Sequence, residues 1–351
     1  MTAKPLRVFV AGLGQMGQSH ALAYHAEPGF EIVGLYNRSP VELKDELKGY
    51  PQVASFEEGL ALKPDLVSIN TYSDSHAPLA IRAMEAGAHV FVEKPLAPTA
   101  EEARRVVETA KRTGRKLVVG YILRHHPSWQ LFIEKARSFG PPYVMRMNLN
   151  QQSSGHAWHI HKQLMKTTSP LVDCGVHYVD VMCLITGARP VEVRGMGVRL
   201  SDEIAETQVN YGHLQVIFDD GSVGWYEAGW GPMISETAFF VKDVMSPKGA
   251  VSIVMDEGAK SDDIDTHSKT ARIRVHHAET GPDGRFLRAD DMVSTEDEPG
   301  HQGLCDREQA FVLKAIREDI DLSDHMRDAV TSLEIVLAAD LSMREGRSVK
   351  L

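Results

Sequence analysis

Apolar positions in the first third of the chain fall into two alternating rhythms, short continuous runs and longer stretches with helical spacing. Leu6–Ala11 is a continuous apolar run that ends in Gly12-Leu13-Gly14-Gln15-Met16-Gly17, and Ser19–Ala26 then has helical character until Pro28-Gly29 stops it. Further strands are predicted at Glu31–Tyr36, Leu66–Asn70, His89–Val92 and Lys116–Gly120, with helices at Val41–Lys48, His76–Glu85 and Thr99–Thr113 between them. This alternation predicts a doubly wound parallel sheet with right-handed crossovers, an α/β domain over residues 1–123. Pro127 and the Pro141-Pro142 pair mark a transition. Residues 124–351 read as an α+β domain, because Tyr143–Asn150, Val191–Val198, Leu214–Phe218 and Val223–Glu227 alternate as in an open, mostly antiparallel sheet. Helices at Asp306–Glu318 and Ser323–Arg344 close the chain and are free to pack back on the first domain. The polar stretch from Gly258 to Gly303 predicts strands at Ala271–His277 and Phe286–Ala289.

Composition narrows the class. The 351 residues are 43% hydrophobic and 25% charged, which is globular material long enough for two cores. The net charge of −10 is spread along the chain with no basic stripe, which argues against nucleic acid and anionic membrane as partners and favours a small molecule. Cys174, Cys183 and Cys305 cannot all pair and show no CxxC spacing. With no apolar run of about 18 residues and only a short lead from Met1 to Pro5, a reduced, cytoplasmic compartment is expected.

Three motifs carry chemistry. Gly12, Gly14 and Gly17 form GxGxxG between a strand and a helix, where bare glycine lets a pyrophosphate approach the backbone and the helix N-terminus stabilises its charge. About 20 residues on, where an acid would hold the adenosine ribose, stand Asn37, Arg38 and Ser39. An amide does not repel a 2′-phosphate and Arg38 with Ser39 can bind one, so the cofactor expected is NAD(P)(H), with NADP(H) favoured. Glu93-Lys94-Pro95 follows an apolar strand, so Lys94 emerges at the carboxyl end of the sheet, able to donate to a carbonyl or alkoxide oxygen. The proline there suggests a cis peptide. Ser169-Pro170 has the start signature of a helix running to Thr186 with Gly187 as its stop. On that helix Asp173 and His177, four residues apart, share a face and form a carboxylate–imidazole pair suited to proton transfer.

With the GxGxxG turn, Glu93-Lys94-Pro95 and Leu171-Val-Asp173-Cys-Gly175-Val-His177-Tyr-Val-Asp180 in this order, the chain resembles the glucose-fructose oxidoreductase, inositol dehydrogenase and MocA family across essentially its full length. The resemblance implies a catalytic centre of Lys94, Asp173 and His177, and a C-terminal sheet with the substrate on one face and a homodimer or homotetramer interface on the other. It implies hydride transfer between nicotinamide and a secondary alcohol or ketone of a sugar, sugar derivative or cyclitol. The cofactor set expected is Gly12, Gly14, Gln15, Met16, Gly17, Asn37, Arg38, Ser39, Thr71, His76, Glu93 and Lys94. Arg124, in an Arg-x-x-Pro segment, and His156, where inositol dehydrogenases place a substrate-binding histidine, join Lys94, Asp173 and His177 as substrate contacts.

The chain departs from the family pattern at Lys166-Thr-Thr-Ser169-Pro170, where a glycine cluster is usual, and at Thr71-Tyr72, where Thr-Pro is usual. His156, His159 and His161 form a histidine-dense run whose spacing fits no standard zinc pattern, so no metal is expected and sugar-hydroxyl binding or mixed surface roles are the readings that stay open. Trp158, Trp225, Tyr226 and Trp230 are available either to stack on a sugar ring or to fill the sheet's core. Two other readings stay open: cleavage of a glycosidic bond through transient oxidation with internal cofactor recycling, and a non-catalytic dinucleotide sensor, against which the full proton-transfer set argues.

Overall fold

The computed structural model describes residues 4–235, 241–255 and 268–351. It divides into two units, 1–125 with 299–330, and 126–298 with 331–351.

The first unit begins with β1 (Leu6–Ala11), α1 (Gln15–Ala26), β2 (Phe30–Tyr36), α2 (Phe56–Ala61), β3 (Leu66–Ile69), α3 (His76–Glu85), β4 (His89–Val92), α4 (Ala100–Thr113) and β5 (Leu117–Val119). The strands pair in parallel in the order β2-β1-β3-β4-β5, so β1 and β3 flank the point where the winding reverses. Ligands of such sheets bind at the carboxyl edge there. Helix ends follow local chemistry: the Thr99 hydroxyl accepts from the Glu102 N–H to open α4, and Gly114, at φ 64°, closes it. The core is built from Val8, Val10, Leu35, Leu66, Phe91 and Val118 of the sheet. Val312 and Leu313 of α9 (His301–Arg317) complete it, having returned from the far end of the chain.

Two expectations in this unit are corrected. The stretch 41–48 holds only a single 3-10 turn at Asp45–Leu47, because the Gln18 side chain takes the Glu42 carbonyl (3.1 Å) and the Lys44 N–H (2.9 Å) while Leu43 and Leu47 enter the core. The short helix α2, capped by Ser55, lies where no helix was expected.

The second unit holds α5 (Pro127–Phe139), β6 (Val144–Gln152), α6 (Gly155–Leu164), α7 (Pro170–Asp173), α8 (Gly175–Thr186), β7 (Pro190–Val198), β8 (Tyr211–Phe218), β9 (Val223–Gly231), β10 (Lys242–Ser246), β11 (Gly249–Val254), β12 (Arg272–His277), β13 (Asp291–Ser294) and β14 (Val349–Lys350). The nine strands run β13-β12-β11-β10-β6-β9-β8-β7-β14, antiparallel except for β6 with β9. The boundary between the units falls within α10 (Ser323–Glu345).

Pro127 starts a helix here and does not merely mark a break, since the His126 ring accepts from the Ser128 N–H at 3.2 Å. Phe286–Ala289 is not a strand. Phe286 and Leu287 are exposed beyond a Gly281–Gly284 turn, with Phe286 meeting the His276 ring edge-on, and pairing shrinks to one bridge while the edge strand forms at Asp291–Ser294. Of the polar stretch, residues 258–267 lie outside the described residues. Among the described residues no helix is long and apolar enough to cross a membrane.

The first unit's sheet is tied at β5 by imidazoles that accept backbone hydrogen bonds. The His89 Nδ1 receives the Lys116 N–H at 2.9 Å and the His325 Nε2 receives the Val119 N–H at 2.8 Å. Protonating either nitrogen destroys its acceptor. Burial, helped by Arg115 and Lys116, brings His89 down to about 4; burial, helped by Arg124 and Arg307, brings His125 to about 3; and burial holds His325 well below its ordinary value. Because these folded values lie under that of an unfolded histidine, about 6.5, the unfolded chain binds protons first and stability falls as pH drops from about 6.5 towards 4. The melting temperature should therefore decline steadily across pH 7.0, 6.0 and 5.0. In His89→Asn, which keeps an acceptor that does not titrate, the decline should be shallower, and an unchanged slope would remove His89 from this account.

Candidate active site

The carboxyl edge of the parallel sheet gathers the first unit's candidate residues. β1 runs into the glycine turn, β2 into Asn37, β3 into Thr71 and β4 into Glu93-Lys94. The three glycines have different reasons to be bare. A Cβ on Gly17 would lie 1.9 Å from the Gly12 carbonyl oxygen, and one on Gly12, at φ +90°, would lie 2.4 Å from that of Asn70. These two close the turn on itself. Gly14 has an ordinary φ of −67°, and a Cβ there would meet nothing within 4 Å. Neither backbone nor packing requires glycine at that position, and the open space beside it at the start of α1 is what a pyrophosphate fits. Gln15 and Met16 follow as the first residues of α1, which has no side-chain cap competing for its free N–H groups.

Asn37 is occupied within the protein. Its Oδ1 accepts from the Leu13 N–H at 2.9 Å and its Nδ2 donates to the Ser39 carbonyl at 2.7 Å, so the amide locks the β2 loop onto the glycine turn. Arg38 and Ser39 are exposed beside it. His76 is fully buried, with Nδ1 at 2.7 Å from the Pro95 carbonyl oxygen and Nε2 at 2.9 Å from that of Thr71. It ties together the loops after β3 and β4. Only a doubly protonated ring donates to both oxygens, and burial opposes that form and lowers its pKa. The Thr71 hydroxyl pairs with Ser75 at 2.6 Å, while Tyr72 stands 74% exposed. Arg124 donates to Asp328 at 3.0 Å and lies over the Tyr121 ring.

Glu93 sits behind Lys94 at the end of a directional chain. The Tyr24 hydroxyl donates to Gln309 Oε1 (2.7 Å), the Gln309 amide nitrogen meets His20 Nδ1 (2.9 Å), and His20 Nε2 meets Glu93 Oε1 (2.7 Å). With Gln309 donating to Nδ1, the imidazole proton lies on Nε2 and points at the carboxylate. Glu93 Oε2 accepts the Lys94 backbone N–H at 3.1 Å, and the Lys94-Pro95 peptide is cis. Burial alone raises the Glu93 carboxyl, yet the His20 hydrogen bond and neighbouring positive charge bring it below the ordinary glutamate value. Glu308 is equally buried, and burial and the nearby Glu93 push it well up. Of these two carboxyls, Glu93 carries the charge.

In the second unit, Ser169 caps α7 through the Val172 N–H at 3.3 Å and itself donates to Asp340 at 2.7 Å. The expected single helix from 170 to 186 is two helices, divided at Cys174. Asp173 ends α7, His177 lies in the first turn of α8, and the His177 N–H reaches back three residues to the Cys174 carbonyl at 3.2 Å. A spacing of four therefore does not carry its α-helical meaning here. Tyr178 stacks on Tyr226 at 5.2 Å under the buried Lys242 ammonium, 4.5 Å away, and Gly175 leaves room for the Tyr226 ring. Burial pushes the Lys242 amine well below its ordinary value. His156 and His159 are exposed, whereas His161 is half-buried and stacked on Trp230. The Tyr226 and Trp230 rings are core, at 0% and 1% exposure.

The His20–Gln309 chain was not singled out by sequence, and His161 entered only as one member of the histidine run. His20 stands three residues beyond the glycine motif, which is a signal, but Gln309 lies far away in the chain and carries none.

Residues 6–121 match the model of an oxidoreductase family described as an NAD-binding Rossmann fold, and 135–351 match that family's C-terminal alpha/beta domain. The chain is 23% identical over 341 residues to D-glucoside 3-dehydrogenase of Escherichia coli, covering 90% of this chain and 94% of the relative. It is 28% identical over 241 residues to scyllo-inositol 2-dehydrogenase (NAD(+)) of Bacillus subtilis, covering 64% and 67%. The solved WlbA dehydrogenase from Bordetella pertussis, in complex with NADH and UDP-GlcNAcA, superposes with a TM-score of 0.76 at 20% identity, covering 100% of this chain and 99% of that one.

The glycines separate binding from folding. Gly14→Ala should keep stability within about 1 kcal/mol yet weaken cofactor binding at least tenfold by calorimetry, whereas Gly17→Ala should unfold the turn. Equal affinity in Gly14→Ala would mean the open space is not the pyrophosphate's. His20→Ala leaves Glu93 buried with one oxygen stripped of its donor, and should cost roughly 3 kcal/mol in urea denaturation.

Proposed function

The chain belongs to the oxidoreductase family that joins an NAD-binding Rossmann fold to a C-terminal α/β domain, and on that premise we propose that it transfers a hydride between NADP(H) and a secondary alcohol or ketone of a sugar, sugar derivative or cyclitol. The observation that carries the reading is Lys94 at the carboxyl end of β4, on the same sheet edge as a glycine turn whose open face at Gly14 suits a pyrophosphate. The hydroxyl-bearing rings in the names of the glucoside and inositol dehydrogenases support the substrate class.

A bound nicotinamide supplies the hydride acceptor. In the oxidising direction His177 takes the proton of the substrate hydroxyl, and Asp173 raises the imidazole's basicity and orients it. Lys94 donates to the same oxygen and stabilises the negative charge that develops on it, with no need to lose its own proton. Glu93, charged and fixed by His20, holds the Lys94 backbone N–H and keeps a compensating charge next to the ammonium. Gly12, Gly14, Gln15, Met16 and Gly17 hold the pyrophosphate.

Preference for NADP(H) rests on Asn37. Its side chain is used on Leu13 and Ser39, no carboxylate stands at the end of β2, and the exposed Arg38 guanidinium is left to meet a 2′-phosphate. Exposed apolar residues on strands of the nine-stranded sheet, Val144, Ile217 and Val223, support a homo-oligomer formed on that sheet. Three buried cysteine thiols, Cys174, Cys183 and Cys305, support a reduced, cytoplasmic setting.

The test is a panel of methyl glucosides and inositols read at the reduced-nicotinamide absorbance. Lys94→Ala and His177→Ala should each lower kcat by about 10²–10⁴ while NADPH still binds, and an undiminished rate in either removes its role. Arg38→Ala should raise the KM for NADP far more than that for NAD; a parallel rise would assign Arg38 to the adenine and not to the phosphate.

A further inference from the structure

The histidine-rich helix α6 presents one imidazole quite unlike its neighbours. His156 and His159 are exposed, while His161 lies flat on the buried indole of Trp230, ring centroids 4.5 Å apart and planes within 9°. Its Nδ1 meets the Ser153 hydroxyl at 2.9 Å. Trp230 is itself fixed, since its indole N–H donates to Gln151 Oε1 at 2.9 Å and the two residues are partners in the β6–β9 register. An imidazole pinned through one nitrogen and one face has its remaining edge aimed by the protein. Among the described residues the His161 ring makes no hydrogen bond but the one at Nδ1, which leaves Nε2 for a ligand.

The ring belongs to the neighbourhood of Asp173, whose charge it feels. The Cys174 thiol lies 3.6 Å from Asp173 Oδ2 and 3.9 Å from the same Gln151 Oε1 that holds Trp230, so Asp173, Cys174, Gln151, Trp230 and His161 form one continuous set within the second unit.

We propose that His161 determines specificity by hydrogen-bonding, through Nε2, a substrate hydroxyl adjacent to the carbon that is oxidised, the task that sequence position alone would give to His156. The inference rests on the polyol reading above. The ligand group is a neutral hydroxyl for a physical reason: burial brings the imidazole down to about 4 against the pull of the Asp173 charge, so at neutral pH it has one N–H and one lone pair and no charge for a phosphate or carboxylate. A hydroxyl satisfies either tautomer. The stack on Trp230 removes the ring's rotational freedom before substrate arrives, which turns a single neutral hydrogen bond into a discriminating one.

The experiment compares His161→Phe, His161→Ala, His161→Gln and the parent protein on the panel of methyl glucosides and inositols, with NADPH affinity and melting temperature measured alongside. His161→Phe keeps the stack on Trp230 and loses the nitrogen. The expected result is a KM for the best polyol raised about tenfold in both Phe and Ala, with kcat within about threefold and NADPH affinity unchanged, and partial recovery in Gln. The parent should also lose about tenfold in kcat/KM on one deoxy analogue of that polyol, a loss absent from His161→Phe. A wild-type KM in His161→Phe overturns the proposal and reduces His161 to packing, while the dehydrogenase reading stands. If the parent turns over no polyol although NADPH binds, the functional reading falls and this inference with it.

Discussion

A negative charge buried at the edge of a parallel sheet survives only with a full set of donors, and Glu93 obtains one donor from its neighbour Lys94 and the other from His20, which a third, distant stretch of the chain holds in place. An isolated carboxylate in such a place would cost several kcal/mol or take up a proton. Here His20 of α1 faces one oxygen, the Lys94 backbone N–H faces the other, and Gln309 of α9 fixes the direction of the imidazole. Because each link has one donor and one acceptor, reversing any of them reverses all. The return of α9 to the first sheet therefore does two things at once. It completes the apolar core with Val312 and Leu313, and it sets the protonation pattern that keeps the Glu93-Lys94 turn charged.

The second unit reaches its own rigidity by different means. Its helices lie on a mixed sheet whose covered face is aromatic, with Tyr178 on Tyr226 and Trp129 against Tyr178. The division between α7 and α8 at Cys174 lets Asp173 and His177 belong to separate short segments, each fixed by its own contacts: Ser169 and Asp340 at the start of one, the Tyr226 ring against Gly175 at the start of the other. Side chains placed at helix ends beside such packing have few alternative positions.

Much of this was legible in the chain. The parallel strands and the pattern of open, antiparallel pairing follow from short-range periodicity, and the three motifs fall where strand ends and helix starts require them. Much of what escaped prediction comes from side chains acting on backbone or on one another, and the rest from the local backbone itself. Gln18 holds Glu42 and Lys44 out of a helix from more than twenty positions away, a competition invisible to any local count of apolar residues. Pro127 looked like punctuation and is a first helical turn because His126 caps it. The histidine run looked uniform, and only the indole of Trp230, contributed by another strand, separates His161 from His156 and His159. Asp173 and His177 were legible as residues, whereas their relation was not, since the turn tightens at Cys174 inside a stretch whose helical character continues on both sides of it.

The amide of Asn37 has a consequence for how this enzyme can change. In a dinucleotide site where the residue at the end of the second strand touches the ribose, altering cofactor choice alters that contact directly. Here the same position is a strut between the glycine turn and the following loop, accepting from Leu13 and donating to Ser39. An aspartate would keep the acceptor and lose the donor, releasing Ser39 and with it the loop that carries Arg38. Introducing a ribose-binding carboxylate is thus a two-position problem, in which the strut is retained and the carboxylate stands at 38 or 39, on a loop whose geometry the first third of the protein already guarantees.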